Sequence, residues 1–232
     1  MNEDLENLVP QVRRDILRMV HAVNSGHPGG SLGCVEFFVT LYKRILEVEN
    51  DSNQKDMFIL SNGHISPVYY STLARSGYFD VKELDTFRKI NSRLQGHPTN
   101  HDGLPGINIS SGSLGQGVSV GLGLALSKKL NNDPSLVYVL TGDGELQEGQ
   151  NWEAFMYASA NKVDNIIVTV DFNGQQIDGS TEDVLDIGDL NQKFESFGWK
   201  VLEVDKGNSL DMIYETLSTA KENSKKGKPV VI

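Results

Sequence analysis

Leu8, Val12, Ile16, Met19, Val20 and Val23 recur at three- and four-residue steps, the spacing that lines up one face of a helix. The first two dozen residues are therefore predicted to form an amphipathic helix. Pro10 falls near its first turn and Asn24-Ser25-Gly26 stops it. A second helical stretch is expected over about 33–46, and the apolar run 57–60 reads as a short buried strand leading into Ser61-Asn62-Gly63-His64. Loop chemistry dominates from about Gln95 to Gly112, and a helix begins near Gln116. Beyond it, short apolar runs alternate with helical segments: strand 136–140, helix 147–160, strand 165–170, helix 190–197, strand 200–204, helix 210–220 and strand 230–232. Such alternation implies right-handed crossovers and an α/β fold, a parallel sheet covered by helices on both faces. No internal repeat, low-complexity tract or linker interrupts it, so a single domain over 1–232 is expected. The chain stops inside its last predicted strand, KPVVI, and a C-terminal tail is expected beyond it.

Composition narrows the class. With 232 residues the chain can bury well over half of its unfolded surface without disulfides or structural metals. Cys34 is the one cysteine and has no intramolecular partner to bridge, which fits a reducing compartment. The acidic start MNEDLENLVP lacks the basic and apolar regions of an export signal, and no apolar run approaches the roughly 20 residues that span a bilayer. A soluble, cytoplasmic protein is expected. A formal charge of -10 opposes binding to nucleic acid or anionic membrane, so an anionic ligand would need local donors or a bound cation.

The segment VYVLTGDGELQEG supplies such a place, because a buried strand runs into Gly142-Asp143-Gly144 and then a helix. In parallel sheets ligands bind where the carboxyl ends of strands meet helix N-termini, whose free N–H groups attract phosphate. An acid such as Asp143 would repel a phosphate unless a hard cation sat between them, and magnesium is the natural candidate. One strand-helix-strand unit later IIVTVDFNGQQIDG places Asn173 on the corresponding turn. Asp143, the Asn173 amide oxygen and a main-chain carbonyl such as that of Gln175 would leave magnesium room for phosphate oxygens and water. Taken singly, GDG and NG are also ordinary tight turns; their combination in register is what points to a diphosphate clamp. A dinucleotide fingerprint fails because Gln147 stands where its third glycine belongs, and no P-loop occurs.

GDGELQEG followed by DFN resembles the thiamine-diphosphate motif of transketolases. It is accompanied by NSGHPGG at 24–30, LSNGHISP at 60–67, QGHP at 95–98 and SSGSLGQG at 110–117, in the family's order. The resemblance implies a thiamine-diphosphate-binding fold in which Asp143, Asn173 and the Gln175 carbonyl hold Mg2+, with Ca2+ or Mn2+ as substitutes. It further implies that His64, Gly144, Glu145 and Asn173 serve the diphosphate, and that Gly112, Ser113 and Leu114 line the rest of the cofactor. His27 and His97 would face the reacting carbons and shuttle protons, a task that suits imidazole because its ordinary pKa lies near neutrality. Context separates these histidines from His21 and His101, which stay unassigned: each follows a glycine in a loop, and two precede proline.

Gly117 and Gly121, four apart on one predicted helix, permit close approach of a second helix. The resemblance implies that this helix, with Glu148 and Glu153, lies at a subunit interface. It also implies transfer of a two-carbon ketol unit from a ketose phosphate to an aldose phosphate, in pentose phosphate metabolism by default. The glutamate that activates the aminopyrimidine, and a histidine expected past KPVVI, are absent from the sequence, so a C-terminal partner subunit carrying the pyrimidine-binding domain is expected, in a homodimer or heterotetramer. Related thiamine-diphosphate enzymes share GDG and Asn but are not expected to show NSGHPGG with QGHP. A non-catalytic subunit of the same fold would not need Asp143, Asn173, His27 and His97 intact.

Overall fold

The structure, a computed structural model, describes residues 3–47 and 56–232. In chain order its elements are α1 (Glu3–Val23), α2 (Pro28–Gly33), α3 (Val35–Thr40), β1 (Met57–Leu60), α4 (Ser66–Arg75), α5 (Gly117–Leu130), β2 (Val137–Gly142), α6 (Gly149–Ala160), β3 (Ile166–Asp171), β4 (Gln175–Gln176), β5 (Gly179–Ser180), α7 (Thr181–Leu185), α8 (Leu190–Ser196), β6 (Lys200–Val201), α9 (Leu210–Asn223) and β7 (Val230–Val231). They fall into two compact units.

The first unit gathers the N-terminal helices, Gly63–Gly112 and Val204–Leu217. Helix α1 buries Leu5, Val9, Val12, Ile16 and Met19. It spans Glu3–Val23, so Pro10, expected near the first turn, lies inside the helix. A proline there forfeits one backbone bond, at a cost of about 3 kcal/mol; burial of Val9 and Val12 on either side offsets it. The helix expected over 33–46 is α3 followed by a π turn at Leu41–Ile45, and Gly33 belongs to the separate α2, which ends at Cys34. Asp15 of α1, itself buried, grips α4 through Arg75, with Nε–Oδ2 at 2.5 Å and Nη2–Oδ1 at 2.9 Å, and accepts from the Ser71 hydroxyl at 2.8 Å.

Helix α4 is buried from Ser66 through Ala74, and three of its hydroxyls are spent on the 95–106 segment. Ser66, Tyr70 and Tyr69 donate to the carbonyls of Gly96, Gln95 and Gly106 at 2.8, 2.9 and 2.7 Å. A helix buried all round shows no amphipathic stripe, which is why the pattern of polar and apolar positions misses it.

The second unit comprises β1 with Ser61 and Asn62, Ser113–Glu203 and Ser218–Ile232. Its sheet is parallel throughout, in the order β1-β2-β3-β7-β6. β2 is buried at every position, as expected of a strand covered on both faces. Its register with β3 runs from Val137↔Ile166 to Gly142↔Asp171, so the two strands end level. The strand expected over 200–204 is confined to Lys200–Val201.

Gly117 and Gly121 turn out to serve the sheet. A Cβ at 121 would lie 2.6 Å from Val139 Cγ2, and one at 117 would lie 2.4 Å from Ser61 Cβ. The pair lets α5 settle on Ser61 and on β2 of its own unit. Trp152, Phe155, Phe194 and Trp199 pack around α6 and α8, edge-on except for the tilted Trp152–Phe194 pair. Both indoles donate to backbone: Trp199 Nε1 to Phe155 O at 2.9 Å, and Trp152 Nε1 to Leu146 O at 2.8 Å. The second bond pins the turn just after Gly142-Asp143-Gly144.

Candidate active site

In the second unit the level ends of β2 and β3 deliver their turns side by side. Asp143 comes directly after Gly142, and its N–H donates to Asp171 O at 3.2 Å. Its carboxylate is 1% exposed and accepts from Gly144 N at 2.8 Å and from Gly174 N at 2.6 Å. Gly144 touches the same turn, because a Cβ there would meet Gln176 Cβ at 2.8 Å and Gln175 O at 3.8 Å. Asn173 is exposed, its Oδ1 accepting from Gln175 N at 2.9 Å while its Nδ2 donates to Asp171 Oδ2 at 3.0 Å. The structure thus brings together Asp143, Asn173, Gln175 and Gly144, as their spacing predicts. The backbone after GDG departs from expectation: a 3₁₀ turn at Gly144–Gln147 intervenes before α6, and the Gly144 N–H is taken by Asp143.

Burial raises the Asp143 pKa above its ordinary value and the like-signed Asp171 adds to this, while the N–H groups of Gly174 and Gly144 act against both. A carboxylate held there in its charged form calls for a counter-cation, and one carboxylate, one amide oxygen and one main-chain carbonyl form an all-oxygen donor set suited to a hard divalent ion. Among the described residues no group of three or more His, Cys, Asp or Glu side chains could hold a metal; this donor set differs in kind, with a single acid. The residues present therefore fit a magnesium-type ion.

Glu145 faces inward. Only 2% exposed, it accepts through Oε1 from Ser61 Oγ at 2.5 Å and Gly115 N at 2.8 Å, and through Oε2 from Thr141 Oγ1 at 2.7 Å and Gly142 N at 3.3 Å. Ser61 Oγ accepts in turn from Gly117 N at 3.1 Å. One carboxylate thus ties the end of β1, the start of α5 and the end of β2. Ser61 and Thr141 lie inside motifs read from the sequence but are given no role there, since a lone hydroxyl at a strand end carries no periodic signal. Ser113 is exposed and Leu114 half-buried. Glu148 and Glu153 are exposed near and on α6, and the stem of Glu148 leans on Gly115, whose Cβ would lie 2.8 Å from its own.

In the first unit the glycine-histidine loops converge. The rings of His27 and His64 meet edge-on, centroids 4.9 Å apart. Gly112, at φ +128°, lies against the His97 ring, where a Cβ would come within 2.7 Å of Cδ2. Gly63 presses on Ser111 and Gly112 in the same way, with a Cβ only 2.7 Å from Gly112 N. Burial lowers the pKa of all three imidazoles. For His27 the Arg88 cation adds to the effect; for His97 both Arg88 and His27 do. His64 is brought down to about 4 by burial and by its two neighbours. At neutral pH the three are therefore uncharged, able to accept a proton or a hydrogen bond. His21 and His101 are exposed. Pro28, read as loop, is the first residue of α2, and His27 stands at its N-cap position without a side-chain capping bond.

These depressed values carry a sign for stability. The unfolded chain binds more protons than the folded one once pH falls below 6.5, and stability declines with pH; for His64 the window runs from 6.5 down to about 4. His64→Asn is expected to flatten thermal-unfolding midpoints across that window relative to wild type. Parallel curves for the two proteins would show that the imidazole is not held neutral.

Residues 5–232 match the family described as transketolase, thiamine diphosphate binding domain. The chain belongs to the transketolase family. It is 38% identical over 236 residues to one subunit of the apulose-4-phosphate transketolase of Actinobacillus succinogenes, covering 99% of this chain and 83% of that one. It is 35% identical over 232 residues to the 6-deoxy-6-sulfo-D-fructose transketolase subunit SqwG of Clostridium sp. (strain MSTE9), again covering 99% of this chain and 83% of that one. Among solved structures, the transketolase of Campylobacter jejuni superposes with a TM-score of 0.89 at 34% identity, over 100% of this chain and 37% of its own. The transketolase-family chain thus spans most of the length of the two subunits and little more than a third of that longer enzyme. Among the described residues no helix is long and apolar enough to cross a membrane.

Proposed function

We propose that this chain is the thiamine-diphosphate-binding subunit of a two-subunit transketolase, which moves a two-carbon ketol unit from a ketose to an aldose. The observation that carries the reading is the level ending of β2 and β3, which sets Asp143 beside the Asn173 turn. Asp143, Asn173 and the Gln175 carbonyl would hold magnesium, and Gly144 would leave space for the diphosphate. Thiamine diphosphate, when bound, supplies the nucleophilic carbon and the electron sink. The chain's own residues orient and move protons: Gly112, Ser113 and Leu114 line the cofactor, His64 donates toward its diphosphate, and neutral His27 and His97 serve the sugar hydroxyls and carbonyl oxygen. Glu145, with its oxygens engaged, shapes the cofactor loops and does not touch the cofactor.

A C-terminal partner carrying the pyrimidine-binding domain completes the enzyme, as a homodimer or heterotetramer with Glu148 and Glu153 at the subunit boundary, in the cytoplasm. Residues 1–232 serve as one thiamine-diphosphate-binding domain. Pentose phosphates are the default substrates; the sugars named for the two subunit relatives favour a specialised sugar pathway as an equal candidate. The test pairs the chain with the candidate C-terminal subunit, magnesium and thiamine diphosphate, and offers a panel of ketose phosphates together with the sugars named for those relatives. Ketol transfer by the pair and none by the isolated chain is the expected result; robust transfer by the single chain overturns the split enzyme.

A further inference from the structure

Arg88 stands in the left-handed region, at φ +56°, where a side chain other than glycine is uncommon. Such a conformation costs on the order of 1–3 kcal/mol and persists only where the surroundings over-determine it. Here they do. Phe87 and Leu94 are both buried, and the Arg88 N–H donates to Leu94 O at 2.8 Å, closing the 88–94 loop on itself. The side chain is thereby aimed at two glycine-histidine loops at once. Nη1 donates to Ser25 Oγ at 2.9 Å, two residues before His27. Against the plane of the guanidinium lies Gly96, the residue before His97: a Cβ at 96 would fall 2.7 Å from Arg88 Cζ and 2.9 Å from Nε and Nη2. Cζ also sits 5.5 Å from the centroid of the Phe87 ring. Glycine at 96 is thus explained by the guanidinium it must admit.

We propose that Arg88 is a positioning residue that holds the His27 and His97 loops in one fixed arrangement for proton handling on the sugar. The role rests on the transketolase reading above, while the arrangement does not. A single planar fork, attached to a hydroxyl on one side and seated against a backbone on the other, fixes two loops whose own sequences are rich in glycine and would otherwise sample many shapes. It also brings a permanent cation near both imidazoles, which favours their uncharged forms. The other groups facing them are the His64 ring beside His27, and His27 itself toward His97. The carboxylate of Asp102 acts on Tyr70, whose hydroxyl donates to Gln95 O at 2.9 Å.

The test uses the full chain with ring-labelled histidines, followed by NMR across pH, and then turnover with the partner subunit. In Arg88→Met the His27 and His97 titrations are expected to move upward toward 6.5, and kcat to fall roughly 10- to 100-fold with donor KM changed less, as expected when reacting groups are misplaced by about 1 Å. Arg88→Lys restores the charge without the fork, so its titrations should return to wild type while kcat stays low. Ser25→Ala, which removes only the hydroxyl acceptor, is expected to lower kcat by a factor of about 2 to 10. Unchanged titrations in Arg88→Met overturn the arrangement, and wild-type kcat in both Arg88 variants overturns the role. Because the titrations need no turnover, an inactive wild-type complex would count against the transketolase reading and leave the arrangement to be judged on its own.

Discussion

Asp143→Ala is expected to abolish magnesium-dependent uptake of thiamine diphosphate by the complex, weakening it by at least about 100-fold, or roughly 2.7 kcal/mol. The carboxylate is the one acid among the three proposed ligands and the one most buried. Its removal also strands the N–H groups of Gly144 and Gly174, which it accepts at 2.8 and 2.6 Å. Each unmet donor costs about 1–3 kcal/mol if kept from water, and the Asn173 turn loses its tether to β2. Asp143→Asn keeps one oxygen but sets an amide N–H2 against one of those donors, so it should recover binding only in part and at high cation concentration. Titration calorimetry at several magnesium concentrations reads all three proteins. Equal, magnesium-dependent affinity in Asp143→Ala and wild type would remove this residue from the cation site.

Glu145→Ala is expected to be the most destabilising single change in the second unit. The carboxylate satisfies Ser61 Oγ, Gly115 N, Thr141 Oγ1 and Gly142 N, all of them buried. Alanine leaves these donors facing a small void, and breaking a buried network of this kind costs about 3–5 kcal/mol. For a chain of this length each kcal/mol lowers Tm by roughly 2–4 °C, so a fall of about 6 to 20 °C is expected. Glu145→Gln, which can still accept twice through one oxygen, should fall in between. Thermal unfolding followed by circular dichroism gives the comparison; an alanine variant within about 2 °C of wild type would mean that water enters and replaces the carboxylate. The expected effect on cofactor binding is indirect, through the three segments it ties together.

How much of this could be seen in the sequence depended on whether a residue's surroundings leave a local mark. β2 and β3 are continuous apolar runs ending in GDG and DFN, and a parallel pair joined by one helix must bring such ends to one edge, so Asp143 and Asn173 could be matched from spacing alone. α4 left no mark because its neighbours cover every side and its polar residues Ser66, Tyr69 and Tyr70 spend their hydroxyls on loop carbonyls. The glycines at 117 and 121 announced close approach but not its object, since Val139 and Ser61 stand far along the chain from one or both of them. Arg88 was equally silent: a basic residue in a polar stretch looks like solvated surface until the 88–94 loop turns it inward.

Strand order in the sheet also bears on how the protein is made. β6 touches the other strands only through β7, which is built from Val230 and Val231. During synthesis, at roughly 5–20 residues per second, β1, β2 and β3 can pair as soon as they leave the ribosome. Of this sheet's remaining strands β6 emerges next, with no strand to join. The gap between it and β3 closes only when residues 230–231 slide in between them, so for a second or more each nascent molecule carries two bare strand edges facing one another, a period in which a chaperone or a neighbouring chain has access to them.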